Sequence, residues 1–205
     1  MKKVLILLTI ALYLLSCSVS RMDKDFKIFV HPKGWHASDP TALQFGKWPE
    51  IFQMQVKFDS TCKYLFYTST GAIAENQYDY NKAGGWSFDE FSAKENSCMM
   101  GWRYGIESRK IELTFYHHSK GVAIHHTNPV HAVNFNQVAT YTMIPDYSTG
   151  EIYESIETNG VTVENSFDMP EITEQKGRIG REINCWFGGQ EKAPHKMYIF
   201  KKRIK

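Results

Sequence analysis

The sequence predicts an all-β protein, a sandwich of two antiparallel sheets, on three observations. Apolar residues recur at every second position in about a dozen short stretches, the period of a half-buried strand. After the apolar run at the start, no long stretch carries apolar residues at i, i+3, i+4 and i+7, so no helix is expected. Aromatic residues make up 14% of the chain, which suits two sheets packed through large side chains.

The first element is an address. Lys2 and Lys3 precede an apolar run, Val4 to Leu15, that is short for a bilayer span of about 20 residues. Leu14-Leu15-Ser16-Cys17 resembles the lipobox of bacterial lipoproteins, with Leu14 in the expected place and Leu15 an unusual choice for the next. The resemblance implies cleavage before Cys17, lipidation of Cys17 and anchoring in a lipid bilayer. The expected division is a lipoprotein signal peptide over 1–16, a lipidated cysteine and polar tether over 17–25, and one β-sandwich domain over 26–205. The expected location is the cell envelope, at the outer membrane, facing the periplasm or the outside. About 180 residues make one substantial core and are short for two.

The strands follow in order. "FKIFVH" and "IFQMQVKF" alternate, and "KYLFYT" after "DST" reads as the return of a hairpin. "SFDEFSAKEN" has room for one helical turn. "SCMMGWRY", "KIELTFYHH" and "VAIHHT" come next, then "QVATYTMI", "EIYESIE", "VTVENSF", "REINCWF" and "KMYIFKKRI". Asn159-Gly160 is a tight-turn pair, because both residues tolerate positive φ, and it joins "EIYESIE" to "VTVEN". Strands near both ends place the termini side by side, as in a jelly roll.

Composition excludes some functions. A net charge of +2 with interspersed signs, and a basic run only at "KKRIK", gives no nucleic-acid surface. With Cys17 spent, Cys62, Cys98 and Cys185 remain. They have no CxxC spacing for structural zinc and read as buried thiols in preference to a bridge. No cofactor motif, phosphate loop, HExxH or Ser-His-Asp signature is present.

"FYHHSKGVAIHH" holds His117, His118, His125 and His126, four of the eight histidines. Neighbours on a strand point to opposite faces, so neither pair can chelate one metal, and no metal site is expected. With Ser119-Lys120 as the hairpin loop, His117 shares a core face with Ile111, Leu113, Phe115, Val122 and Ile124. His118, His125 and Tyr116 then take the other face. Trp86 and Arg103 are the candidates for a sugar site, an aromatic face for a ring and a planar fork for hydroxyls or an acidic group. Arg103 has an ion pair with Glu107 or Glu112 as its structural alternative. His195, behind Pro194 at a strand entry, is a candidate contact or a lock on the end of the sandwich. "GEIYESIE" offers Glu151, Glu154 and Glu157, with no supporting motif for a glycosidase pair.

Two segments carry a family resemblance. "YNKAGGWSFDEFSAKENSCMMGWRYGIESRKIELTFYHHSKGVAI" resembles the central motif of a family of uncharacterised proteins of gut-type Gram-negative bacteria and their phages, with its Asn-Ser and Gly-Trp-Arg. "NCWFGGQEKAPHKMYIF" resembles that family's Phe-Gly-Gly and Ala-Pro-His end. The two pieces are fairly specific only when found together. The middle segment, "QVATYTMIPDYSTGEIYESIETNGVTV", looks like a concanavalin-A-like jelly roll. The paired histidines that family members often carry before Asn-Ser are replaced here by "EFSAKE". The resemblance implies a concanavalin-A-like lectin/glucanase sandwich and no particular reaction. The expected role is non-catalytic binding of a glycan or another cell-surface component, with Trp86, Arg103, Tyr116, His125 and His195 as contacts. A polysaccharide lyase or hydrolase acting on one sheet is the first alternative. An interaction protein without a small ligand is the second. The oligomeric state has no signature in the sequence.

Overall fold

The computed structural model describes residues 25–41, 43–125, 129–175, 178–189 and 191–205, of which the side chains of 125, 174 and 175 are not described. The apolar run, Cys17 and His126 lie outside the described residues. The described residues hold thirteen strands in two antiparallel sheets. One sheet has six strands, in the order β1 (Lys27–His31), β13 (Met197–Arg203), β3 (Phe52–Phe58), β9 (Ala139–Pro145), β10 (Glu151–Thr158) and β11 (Val161–Asp168). The other has seven. Its path is β2 (Gln44–Lys47), β12 (Ile179–Ile183), β4 (Asn81–Ser87), β5 (Ser97–Tyr104), β6 (Ile111–Ser119) and β7 (Val122–His125), and β8 (His131–Val133) also pairs with β6. The all-β jelly-roll sandwich is therefore present, and its first and last strands pair, Lys27 opposite Lys201.

Alternation explains the core. Phe52, Met54, Val56 and Phe58 of β3 face Trp86, Met100, Trp102 and Phe115 of the other sheet, and all are buried. Burying such side chains stabilises by about 1.5–3 kcal/mol each before entropy is counted, and these dominate the fold. Cys62, Cys98 and Cys185 are buried, free thiols. His131 ties the sheets together, with Nε2 donating to the Ile156 carbonyl at 3.0 Å.

Four local expectations change or sharpen. "KYLFYT" is not a strand. Asp59 accepts from the Thr61 amide at 2.7 Å and caps a 3₁₀ turn, Ser60–Cys62, that takes the chain off the sheet. Gln77 then stands in for a strand partner, accepting from the Phe66 amide and donating to the Tyr104 carbonyl. "SFDEFSAKEN" is not a helix: Asp89 Oδ1 accepts from the amides of Phe91 and Ser92 and folds the loop around itself, and a single turn follows in which the Glu95 amide donates to the Ser92 carbonyl at 3.3 Å. The β10–β11 turn is at Asn159-Gly160, at φ of 51° and 74°. The β6–β7 loop is Lys120-Gly121 and not Ser119-Lys120, since a two-residue turn of this hand needs positive φ at both places. The register moves by two residues, so the faces keep their parity and Tyr116 stands opposite His125. Val122 and Ile124 are 61% and 47% exposed, because β7 is an edge strand that reaches past the core.

Candidate functional site

The site begins with a bulge. Along β4 and β5 the pairing runs Asn81 with Trp102 and Lys82 with Gly101, then resumes at Gly84 with Met100, leaving Ala83 as the extra residue. Strict alternation would put Lys82 and Trp86 on one face. The bulge reverses the parity, so Lys82 points outward while Trp86 points into the core, 4% exposed, against Phe52. Trp86 therefore presents no face to a ligand.

Beyond the bulge, the outer face of the seven-stranded sheet forms an open groove of about 740 Å³. Two registered rows run beneath it, and Ile183, Met99, Tyr116, Arg181 and His118 from them line the floor. Ile183, Gly85, Met99 and Tyr116 form one row, and Arg181, Ser87, Ser97 and His118 the next. Loops supply the walls. Trp186 is bridged to Lys82 by two main-chain hydrogen bonds of 2.8 Å, and it also bridges Ala37. Its indole is 46% exposed and stacks on the His36 ring, 5.5 Å between centroids at 8°. His36 is held by Nδ1 donating to the Phe187 carbonyl at 2.8 Å. Phe91, 85% exposed, stands on the opposite loop. Gly188 permits the close approach, because a Cβ there would lie 3.0 Å from Lys82 Nζ.

Lys82, Lys94 and Arg181 give the groove positive charge. Glu182 also lines it, but its carboxylate is taken by Lys201 at 2.8 Å and Arg203 at 3.3 Å. Lys82 Nζ donates to the Tyr80 carbonyl at 3.1 Å and sits 4.1 Å over the Tyr116 ring. Burial pulls its ammonium down to about 8, with Asp79 opposing and Lys94 reinforcing. His118 lies edge-on to Tyr116, 5.4 Å between centroids. Ser97 gives its hydroxyl proton to the Ala93 carbonyl at 2.6 Å, so the 3.2 Å contact with His118 Nδ1 has the imidazole as donor. That leaves Nε2 as the acceptor. Burial, then Lys82, Lys94 and His117, hold His118 down at about 4, so it is neutral near pH 7. Burial raises the Tyr116 phenol, which keeps its proton. Chemically, the groove offers a cation, a neutral base and a neutral acid beside an aromatic plate. Among the described residues no group of three His, Cys, Asp or Glu could hold a metal ion.

Of the residues singled out in the sequence, the structure brings Tyr116 to the groove and places the backbone of His125 opposite it. Arg103 shares the outer face but lies outside the groove. Its Nε pairs with Glu112 at 2.8 Å, Nη1 donates to the Tyr78 carbonyl, and its guanidinium covers the Tyr80 ring at 4.4 Å. His195 is remote, with Nε2 donating to the Thr61 carbonyl at 2.7 Å, which fastens the end of β13 to the 3₁₀ turn. Glu154 is in the core, away from the groove. Lys82, His118, Arg181 and Trp186 are the groove residues that sequence reasoning missed. For His118 the signal was there, since parity places it beside Tyr116.

No family model matches the chain, and no curated protein matches it in sequence. Among solved structures the fold is similar to the alginate lyase from Klebsiella pneumoniae, at 11% identity and a TM-score of 0.53, over 76% of this chain and 58% of that one. The chain thus spans little more than half the length of that enzyme. It is also similar to an alginate lyase from Chlorella virus, at 11% identity and 0.49, over 87% and 82%. A carbohydrate-binding module from Bacillus subtilis matches at 10% and 0.33, over 80% and 75%. Identities this low carry the fold alone. Structural neighbours of the sandwich thus include both polysaccharide lyases and carbohydrate-binding modules.

Proposed function

We propose that the chain is a glycan-binding domain, with the groove of the seven-stranded sheet as its site. The observation that carries this is the Trp186 indole, stacked on His36 at the rim of an open groove lined by cationic and polar groups. A flat aromatic face takes the apolar face of a sugar ring, and the surrounding donors take its hydroxyls. A glycan array followed by calorimetry tests it. Trp186→Ala should weaken the best ligand at least about tenfold, the size of a lost stacking contact of about 1.4 kcal/mol. A wild-type protein that binds no glycan sinks the proposal.

A second reading, elimination on an acidic polysaccharide, is favoured by the adjacency of Tyr116 and His118. His118 Nε2 would accept the proton next to the sugar carboxylate. The bond to the leaving sugar oxygen would break with Tyr116 supplying a proton to it, leaving an unsaturated ring. Appearance of unsaturated product separates this from binding alone. The likeness of the two motif-bearing segments to the uncharacterised bacterial and phage family bears on the sandwich fold alone, and the cell-envelope part of the proposal rests on the N-terminal residues. The lipobox-like start supports an anchor at Cys17 in the same envelope. Cys17→Ala should release the protein from the membrane fraction, and retention as before would remove the anchor from the proposal.

A further inference from the structure

We propose that Lys82 is the seat of an anionic group, so that the groove's ligand is an acidic sugar carrying a carboxylate or sulfate. This rests on the glycan-binding reading and narrows it. Lys82 is half-buried on the sheet floor. Its ammonium has one carbonyl acceptor, at Tyr80, and one aromatic face, at Tyr116. Among the described residues no carboxylate lies within ion-pair distance of it. A half-buried cation with no ion-pair partner pays part of the desolvation cost of its charge, and that cost is offset when a ligand brings an anion.

The surroundings fit an anion that belongs to a sugar. Lys94 and Arg181 line the same groove and add positive potential from the loop and from β12. Asp79, just ahead of β4, acts on Lys82 only through space. His118 faces the cavity from β6 as a neutral acceptor, suited to a hydroxyl beside the anionic group. Trp186, bridged to Lys82, places the ring-stacking face next to the charge. Tyr80 and Tyr116 are phenols whose pKa burial raises, so neither competes as an anion near neutrality.

The arrangement makes binding proton-linked. Lys82 is charged below its value of about 8 and loses its proton above it, while the ligand's carboxylate or sulfate stays ionised throughout. Affinity should therefore hold from about pH 5.5 to 7. It should fall by about 30-fold between pH 6.5 and pH 9.5, one tenfold step per unit above 8.

The test is calorimetry with four probes near pH 6.5: polygalacturonate, its methyl ester, dextran sulfate and neutral dextran. The acidic probes are repeated near pH 9.5. The expected result is binding of an acidic probe and not of the ester or dextran, with the stated loss at high pH. Which acid binds decides between carboxylate and sulfate. Lys82→Met should abolish binding of the acidic probe while the protein stays folded, and Lys82→Arg, charged at every pH used, should remove the high-pH loss. Equal binding of the acid and its ester, a flat pH profile, or a Lys82→Met variant that binds as wild type overturns the Lys82 assignment and leaves glycan binding standing. No binding of any probe, on top of an empty glycan array, overturns both.

Discussion

His117 and His118 are neighbours on β6, and they live in opposite electrostatic worlds. His117 points between the sheets, 2% exposed, with Nδ1 3.2 Å from Glu154 Oε2 and its ring stacked on Phe167 at 3.9 Å. Tyr141 donates its hydroxyl to the other oxygen of Glu154. Burial, then Glu154, push that phenol well above its ordinary value, so it stays a donor. On the outer face, His118 is kept neutral beside Lys82, a cation with no carboxylate at ion-pair distance among the described residues. Inside, the acid is met by a histidine and a phenol. Outside, the charge is left open. Burying a titratable group does not by itself mark a site, and a half-buried charge left open to a groove is the stronger mark.

Glu154→Ala removes the carboxylate that accepts from Tyr141 and faces His117 Nδ1 at 3.2 Å, 2% exposed at the centre of the sandwich, and leaves both polar groups in apolar surroundings. Loss of about 3–5 kcal/mol in urea unfolding is expected, the scale of a broken buried pair. A loss below about 1 kcal/mol would mean that the inner cluster is not what joins β6 to β9 and β10.

The outer face should respond with the opposite sign. Lys82→Met removes an ammonium that burial holds at about 8 against 10.5 in an unfolded chain. Between those values the unfolded state carries more protons, so wild-type stability rises with pH there. The cost of Lys82 is complete below pH 8 and gone by about 10.5. Discounted for partial exposure, the substitution should stabilise the protein by about 1–2 kcal/mol at pH 7, with the gain fading as pH rises. A destabilised variant would show that Lys82 holds the fold, and the contrast between the faces would fail.

Much of this was legible in the sequence, and the rest was hidden for physical reasons. Asn159-Gly160 announced its turn because few other residues accept positive φ twice. The parity of "FYHH" was right despite a loop placed one residue early, since a two-residue register shift leaves every side chain on its face. Lys82 was hidden by the bulge at Ala83, which no alternation rule anticipates and which turns Lys82 outward while Trp86, the expected sugar plate, packs inward. Trp186 was hidden because isolated bridges to Ala37 and Lys82, and not a strand, bring it to the groove. Such bridges depend on segments far apart in the chain, and nothing local encodes them.

Arg103 lies on the same outer face as Lys82 and in the sequence looked the better ligand contact. It differs in being answered, by Glu112 at 2.8 Å, by the Tyr78 carbonyl at 2.7 Å and by the Tyr80 ring. If an open charge and not mere position makes a site, Arg103→Ala should cost about 1 kcal/mol of stability or less, as a partly exposed pair. It should change the affinity for an acidic glycan by less than about twofold. The same titration that reads Lys82→Met measures it. A tenfold loss would extend the site along the sheet to the Arg103–Glu112 row, and satisfied charges would then have to count as ligand contacts too.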